Sequence, residues 1–132
     1  MNKFSRTSQK RLDSCHKDLQ TLFNEVLKYH DICIICGERG EVEQNMAYDE
    51  GNSTLKYPQS KHNQSPSLAV DVALYHKDKP HIHWFDEQEW LDFGRFVFKV
   101  IGHLKDKGLI TSDISWGGHW TKPKDYPHWQ IK

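Results

Sequence analysis

The segment that most constrains the fold of this chain is an apolar run with a carboxylate at its centre, Leu-Ala-Val-Asp-Val-Ala-Leu at residues 68–74. The run predicts a strand from Leu68 to Tyr75 with Asp71 in its middle. Burying a carboxylate costs several kcal/mol unless it is paired or bound to a metal, so a cation is the economical partner for Asp71. The alternative is that Asp71 lies on the solvated face of an edge strand.

Two histidines and a second carboxylate accompany this strand. His62 lies in the polar loop before it, His128 follows Pro127 near the end of the sequence, and Asp125 stands three residues before His128. Such groups suit a hydrolytic zinc site, which needs three protein ligands, an open position for water and a base beside it. Each piece is common by itself, and a purely structural role for His128 stays open as the alternative.

Apolar periodicity predicts the remaining elements. They are a helix over Ser8–Lys28, a strand over Ile32–Cys36, a short helix near Glu41–Tyr48, a long helix that Asp86 caps and Gly108 closes, and strands over Ile114–Trp116 and Trp129–Ile131. Between the short helix and Ser67 the chain is polar and irregular, and loops of that length are often functional. The pattern predicts an α+β fold, with two main helices packed on a small, mainly antiparallel sheet.

Length and composition narrow the class of protein. The 132 residues suit a single domain, 1–132, without a separate cell-wall-binding domain. The 18 basic and 18 acidic residues cancel, so the strongly basic footprint of a nucleic-acid-binding protein is absent. The start of the sequence lacks the apolar region of a signal peptide, and no run approaches the roughly 18 apolar residues that span a membrane. We therefore expect a monomer that is made in the cytoplasm and does not insert into membranes.

Two other groups of residues are rival metal sites. His81 and His83 would face the same way on a strand, but the first carboxylate after them is Asp86. Cys33 and Cys36 form a CxxC without a second pair, so core packing is favoured for both over metal binding. The three cysteines of the chain form no disulfide framework, and no G-x-S-x-G motif supports a serine nucleophile.

Short motifs from Ile32 to the C-terminus carry a resemblance to a known family. They are Gly37-Glu38-Arg39 with Gln44, the segment from Ser60-Lys61-His62-Asn63 to Ala69-Val70-Asp71, Trp84, Trp116-Gly117-Gly118-His119-Trp120, and Asp125-Tyr126-Pro127-His128. The chain resembles the zinc D,D-/L,D-peptidases of the fold shared with the Hedgehog signalling domain. Within that group it is most similar to the single-domain phage endolysins that cleave L-alanyl-D-glutamate bonds.

The resemblance implies a role for each motif residue. It makes His62, Asp71 and His128 the ligands of a Zn²⁺ ion, Asp125 the catalytic base, and Arg39 a partner for substrate or for the developing oxyanion. Residues that would support the ligands or line the substrate groove are Ser60, Gln44, Trp116 and His119. The family usually has Asp where this sequence has His119, so the support of a ligand or the specificity is expected to differ there.

The function implied by the resemblance is hydrolysis of an amide bond in the peptide stem of bacterial peptidoglycan, most naturally L-alanyl-D-glutamate. The biological role would be phage-driven lysis of the host, with a separate pore-forming protein giving the enzyme access to the wall. One alternative is a cytoplasmic D-alanyl-D-alanine dipeptidase or carboxypeptidase. The other is a non-catalytic module that binds zinc or cell wall, although a pure binder has no need for Asp125.

Overall fold

Four short strands form one antiparallel sheet in the computed structural model, which describes all 132 residues, Met1–Lys132. The elements in chain order are α1 (Arg6–Asp13), α2 (Lys17–Leu27), β1 (Ile32–Cys36), α3 (Glu41–Asp49), β2 (Ala69–Leu74), α4 (Glu87–Asp106), β3 (Ile114–Trp116) and β4 (His128–Ile131). Two single 3-10 turns lie at Lys61–Asn63 and Gly117–His119. The predicted α+β fold with an antiparallel sheet is confirmed.

The strand order β1-β2-β4-β3 places the last strand of the chain inside the sheet. In the register, Asp71 of β2 lies opposite Cys36 of β1 on one side and opposite His128 of β4 on the other. A bulge between Ile34 and Cys36 sets the first of these pairs, because regular pairing would have put Ile35 there. The row across the sheet that contains Asp71 therefore carries a thiol, a carboxylate and an imidazole.

One face of the sheet is covered by helices α2 and α4. Their apolar stripes join the strand residues Val70 and Val72 in a single core, in which Phe23 and Trp129 are fully buried. The core residues that these two helices contribute are Leu19, Leu22, Phe23 and Val26 from α2, and Phe93, Val97, Val100, Ile101 and Leu104 from α4. Because successive side chains of a strand point to opposite faces, Asp71 lies on the other face, away from these helices.

The long helix α4 has the ends that the sequence predicts. The Asp86 carboxylate accepts a hydrogen bond from the backbone N–H of Glu89 at 3.1 Å. Gly108 follows the last turn with φ of +72°, a left-handed conformation in which a side chain would be strained. The helix is therefore fixed at both ends by local sequence alone.

The prediction of one continuous helix over Ser8–Lys28 is wrong, because the chain breaks between α1 and α2. At the break, Ser67 N–H donates to the carbonyl of Ser14 at 2.9 Å, and His16 N–H donates to the carbonyl of Ser67 at 2.8 Å. The Nδ1 atom of His16 then accepts from Asp18 N–H and starts the second helix. These bonds fasten the helical layer to Ser67, which lies between His62 and Asp71.

Candidate metal centre and active site

Two imidazoles converge on one carboxylate oxygen on the face of the sheet away from α2 and α4. Nε2 of His62 lies 3.4 Å, and Nδ1 of His128 3.2 Å, from Oδ1 of Asp71. The side chains of His62, His128 and Asp71 are only 4%, 8% and 14% exposed, respectively. The structure thus brings the three predicted ligands together, and Asp71 lies on an inner strand and not on a solvated edge.

The outer nitrogens of both imidazoles are already engaged as donors. Nδ1 of His62 lies 2.8 Å from the carbonyl oxygen of Gly37, and Nε2 of His128 lies 2.8 Å from Oε1 of Gln130. Since these oxygens only accept, each ring carries its proton on the outer nitrogen and turns a lone pair toward Asp71. Lone pairs from three residues therefore meet with no hydrogen between them, an arrangement that requires a cation and fits a metal ion.

Without a metal, a proton satisfies this requirement. Burial disfavours the charge on His62, but its hydrogen bonds with Asp71 and Cys36 and the negative charge of Asp71 raise its pKa to about 10. Burial likewise works against the charge on Asp71, yet its close contacts with the His128 and His62 imidazoles hold its pKa well below its usual range. Asp71 is therefore ionised at neutral pH, and a positive charge beside it is stabilised.

The second carboxylate, Asp125, stands at the edge of this group. Its Oδ2 lies 3.9 Å from Nδ1 of His128, and its side chain is 41% exposed. Burial and the nearby charge of Asp71 raise its pKa, against the opposing effect of His128, His62 and Arg39. A half-exposed carboxyl group with a raised pKa is suited to accept and return a proton.

Gly117 explains how Asp125 comes so close. The backbone N–H of Asp125 donates to the carbonyl of Gly117 at 3.0 Å. A Cβ at position 117 would lie 2.3 Å from the carbonyl oxygen of Asp125 and 3.1 Å from Cβ of His128. Only a glycine lets this backbone pack against the segment that carries both side chains.

Arg39 extends into the site from the other side. Its Nη2 lies 3.9 Å from Oδ2 of Asp71 and donates to Sγ of Cys36 at 3.5 Å. Its Nη1 donates to Oε1 of Gln44 at 3.0 Å, so the guanidinium is held in place. The side chain is 17% exposed, which leaves a positive edge next to Asp71.

Ser60 and Gln44 position the loops around the site. The hydroxyl of Ser60 accepts from His62 N–H at 3.2 Å and begins the 3-10 turn that carries His62. The buried amide of Gln44 donates to the carbonyl of Leu55 at 2.6 Å and accepts from Arg39, so it joins Arg39 to the irregular loop. Both residues lie behind the ligating atoms and contribute through the loops that they hold.

Trp116 and His119 have different surroundings from those of the other predicted site residues. Trp116 is buried in the core, and its Nε1 donates to the carbonyl of Tyr126 at 2.7 Å, which supports the segment between Asp125 and His128. His119 is exposed and stacks on Phe98 at 5.1 Å between ring centroids. It does not join the group of metal-ligating side chains. The ring of Trp120 lies 5.0 Å from that of His128 instead.

The rival pair His81 and His83 is not formed as the sequence predicts. Residues 75–86 form a loop, not a strand, and His81 stacks on Tyr75. His83 stacks on His76 instead, and the two rings approach different oxygens of Glu89 at 3.0 and 2.9 Å. Glu89 supplies a carboxylate to His83, because the first turn of α4 lies beside this loop.

The prediction of core packing for Cys33 and Cys36 is also wrong. Both are half-buried, neither belongs to the core cluster, and they point to different surroundings. Cys33 lies opposite Ala73, whereas Cys36 lies opposite Asp71 and close to His62. Because of the bulge in β1, Cys36 lies beside the candidate metal centre and Cys33 does not.

Several positioning residues carry no strong signal in the sequence. They are Gly37 and Gln130, which accept the outer protons of the two imidazoles, Asn63, whose amide donates to the carbonyl of Arg39, and Trp120 beside His128. The contact between Gln130 and His128 could be predicted, because residues two apart on a strand share a face and His128 begins a strand. The other contacts depend on loops whose paths no local pattern specifies.

The fold is shared with a solved endopeptidase structure. Over 99% of this chain and 91% of the other, the structure is similar to a crystal structure of the Serratia marcescens L-Ala D-Glu endopeptidase ChiX, with a TM-score of 0.75 and 22% sequence identity. A family model described as phage L-alanyl-D-glutamate peptidase matches residues 1–131. The chain therefore belongs to the phage L-alanyl-D-glutamate peptidase family, and it is a peptidase of bacterial peptidoglycan.

Proposed function

We propose that this protein is a zinc-dependent endopeptidase that hydrolyses the L-alanyl-D-glutamate bond in the peptide stem of bacterial peptidoglycan. The observation that carries the proposal is the convergence of His62, Asp71 and His128, whose lone pairs meet in a nearly closed space. Family membership over residues 1–131 supplies the substrate class and the bond. Two imidazoles and one carboxylate form a donor set typical of catalytic zinc.

His62, Asp71 and His128 would hold the zinc ion. When bound there, zinc lowers the pKa of a coordinated water to about 7 and polarises the scissile carbonyl. Gly37 and Gln130 keep the outer ring protons in place, so both imidazoles stay neutral and correctly turned for the metal.

Asp125 and Arg39 supply the remaining chemistry. Asp125 takes the proton of the attacking water and later delivers it to the departing amine, for which its raised pKa is favourable. Arg39, held by Gln44, presents a fixed positive charge to a carboxylate of the stem peptide or to the tetrahedral oxyanion. Solvent would reach the centre mainly from the side of Asp125, whose side chain is the most exposed of these groups.

Mass spectrometry of fragments released from purified peptidoglycan tests the bond directly. We expect new N-terminal D-glutamate and new C-terminal L-alanine. New termini at another stem bond would refute the specificity, and hydrolysis of free D-alanyl-D-alanine without attack on the wall would indicate a dipeptidase.

The metal is tested by elemental analysis of protein purified without added metal. We expect one zinc per chain, loss of wall hydrolysis on chelation, and recovery when zinc is restored. His128→Ala should lose the zinc of this centre, whereas His83→Ala should retain it. The opposite pattern would move the catalytic metal to the cluster of His76, His83 and Glu89.

For the biological role, we propose that the enzyme acts as an endolysin in the lysis of the host. No helix of the structure has the length and apolar character needed to cross a membrane. A separate pore-forming protein would therefore bring the enzyme to the wall. Expression with and without such a protein tests this role, because rapid lysis is expected only when both are present.

A further inference from the structure

Cys36 lies in the same row of the sheet as two of the proposed metal ligands. The bulge in β1 brings Cys36 opposite Asp71, and Asp71 pairs with His128 on its other side. Residues directly opposite each other on neighbouring strands present their side chains to the same face. The thiol therefore shares the face of Asp71 and His128, and the 3-10 turn brings His62 to the same place.

The distances around the thiol suit a metal ligand. The ligating atoms of Cys36, His62 and Asp71 all lie within 4.8 Å of one another. On the other side of the thiol, the Arg39 guanidinium donates to Sγ at 3.5 Å, which holds the sulfur on the side of Asp71.

We propose that Cys36 is a fourth protein ligand of the metal held by His62, Asp71 and His128, and that its thiolate closes the centre when no substrate is present. This inference rests on the proposed function, which supplies the metal. On coordination the thiol gives its proton to solvent and a sulfur–metal bond forms. When that bond breaks, the thiolate takes a proton back and the fourth position opens, with no change of oxidation state.

The inference gives the centre two states. Zinc sites with four protein ligands are typically structural, whereas catalytic sites keep one position for water. A thiolate beside three ligands allows both arrangements at one place, because sulfur competes with water for the same position. The enzyme would then hold its metal firmly until the wall peptide displaces Cys36.

Cobalt substitution tests the sulfur ligand without depending on activity. Co²⁺ bound to a thiolate gives a strong sulfur-to-metal charge-transfer absorption in the near ultraviolet, and imidazole or carboxylate ligands do not. We expect this band in the full chain with one equivalent of Co²⁺ and its loss in Cys36→Ser. The matched control is Cys33→Ser, on the same strand but opposite Ala73, which should keep the band. Cobalt at His76, His83 and Glu89 would not contribute to the band, since that cluster has no sulfur.

Zinc affinity gives a second measurement. Competition with a chromophoric chelator should show weaker binding by Cys36→Ser, by at least the roughly 10–100-fold that loss of a ligand's outer support costs. Cys33→Ser should bind zinc as the unaltered chain does. Circular dichroism of the metal-free variants establishes that each is folded.

The possible failures are distinct. Cobalt bound through His128 without a charge-transfer band, together with unchanged zinc affinity in Cys36→Ser, would overturn the sulfur ligand and leave the proposed function standing. Absence of any metal binding that depends on His128 would overturn both.

Discussion

At the residue scale, Asp71 contacts both imidazoles and the guanidinium of the centre. Its Oδ1 faces His62 and His128, and its Oδ2 faces Arg39. A buried carboxylate with this many partners is stable only while they remain, because loss of one leaves charge uncompensated in a space of low polarity. We therefore expect two groups of substitutions around Asp71. The first abolishes metal binding, and the second lowers the rate of hydrolysis while metal binding is retained.

Asp125→Ala belongs to the second group. The proposed ligands His62, Asp71 and His128 remain, so the variant should fold and bind zinc. Hydrolysis of peptidoglycan should fall by roughly 10²–10⁴-fold, as is typical when a general acid–base group is removed. Zinc content and turnover measured on the same preparation check this expectation, with Asp106→Ala on the exposed end of α4 as control. Near-normal hydrolysis by Asp125→Ala would contradict the mechanism.

Gln130 gives a prediction about support of a ligand. Gln130→Leu removes the acceptor that fixes the outer proton of His128, and Gln130→Glu keeps an acceptor there. We expect zinc affinity to fall by about 10–100-fold in the Leu variant and to be preserved in the Glu variant. Chelator competition measures both affinities. Equal affinities would mean that His128 is oriented by its strand alone.

At the scale of elements, the helical layer and the sheet are tied by a few polar side chains. The break between α1 and α2 admits Ser67, and α2 in turn binds the chain that leads into β3. In that second contact, the carboxylate of Asp18 accepts from the backbone N–H groups of Thr111 and Ser112 and from the Ser112 hydroxyl. Asp18 is a buried connection between elements far apart in sequence.

Asp18→Ala should lower the free energy of unfolding by about 1–3 kcal/mol, because it removes the charged acceptor of three hydrogen bonds. Burial raises the pKa of Asp18, but its hydrogen bonds outweigh burial and lower it below 3.8. The stabilisation is thus present above the unfolded pKa and is lost as pH falls through the lower, folded value. Urea unfolding at several pH values checks this, with exposed Asp13→Ala as control. If the difference in unfolding free energy between the unaltered chain and Asp18→Ala stayed constant into strong acid, the charged hydrogen bonds would not be its source.

At the scale of the whole molecule, metal binding should couple to proton release. In the metal-free protein the pKa of His62 is raised to about 10, so the imidazole is protonated at pH 7. The metal must displace that proton, and the charge that stabilises the metal-free fold is lost as pH rises through about 10. Titration calorimetry in buffers of different ionisation enthalpy should show at least one proton released per zinc at pH 7. Release of none would mean that His62 is neutral before binding.

The sequence allowed most of the sheet and the centre to be predicted, because those features have local causes. The apolar run around Asp71 specified a strand, and Asp86 and Gly108 specified the ends of α4. What failed depended on distant contacts. No Gly or Pro marks the break at Ser14–His16, which forms only because Ser67 bonds to the backbone there.

The same reason explains the errors near the site. A bulge of one residue decides that Cys36 and not Ile35 lies opposite Asp71, and no composition pattern indicates it. For His119, the motif does not reveal the stacking on Phe98, which depends on the packing of α4, and its role at the site stays a prediction. His76 and Glu89 meet because a loop folds back on a helix, which spacing along the chain does not reveal.

The position of β4 has a consequence for synthesis on the ribosome. This strand is translated after β1, β2 and β3, yet it lies between β2 and β3 and brings His128 to Asp71. A nascent chain that has not reached His128 lacks an inner strand and a proposed ligand, and its strands β2 and β3 have no strand between them to pair with. Premature termination upstream of His128 would therefore yield inert fragments and no partly active enzyme, and peptidase activity would begin only once β4 has been translated.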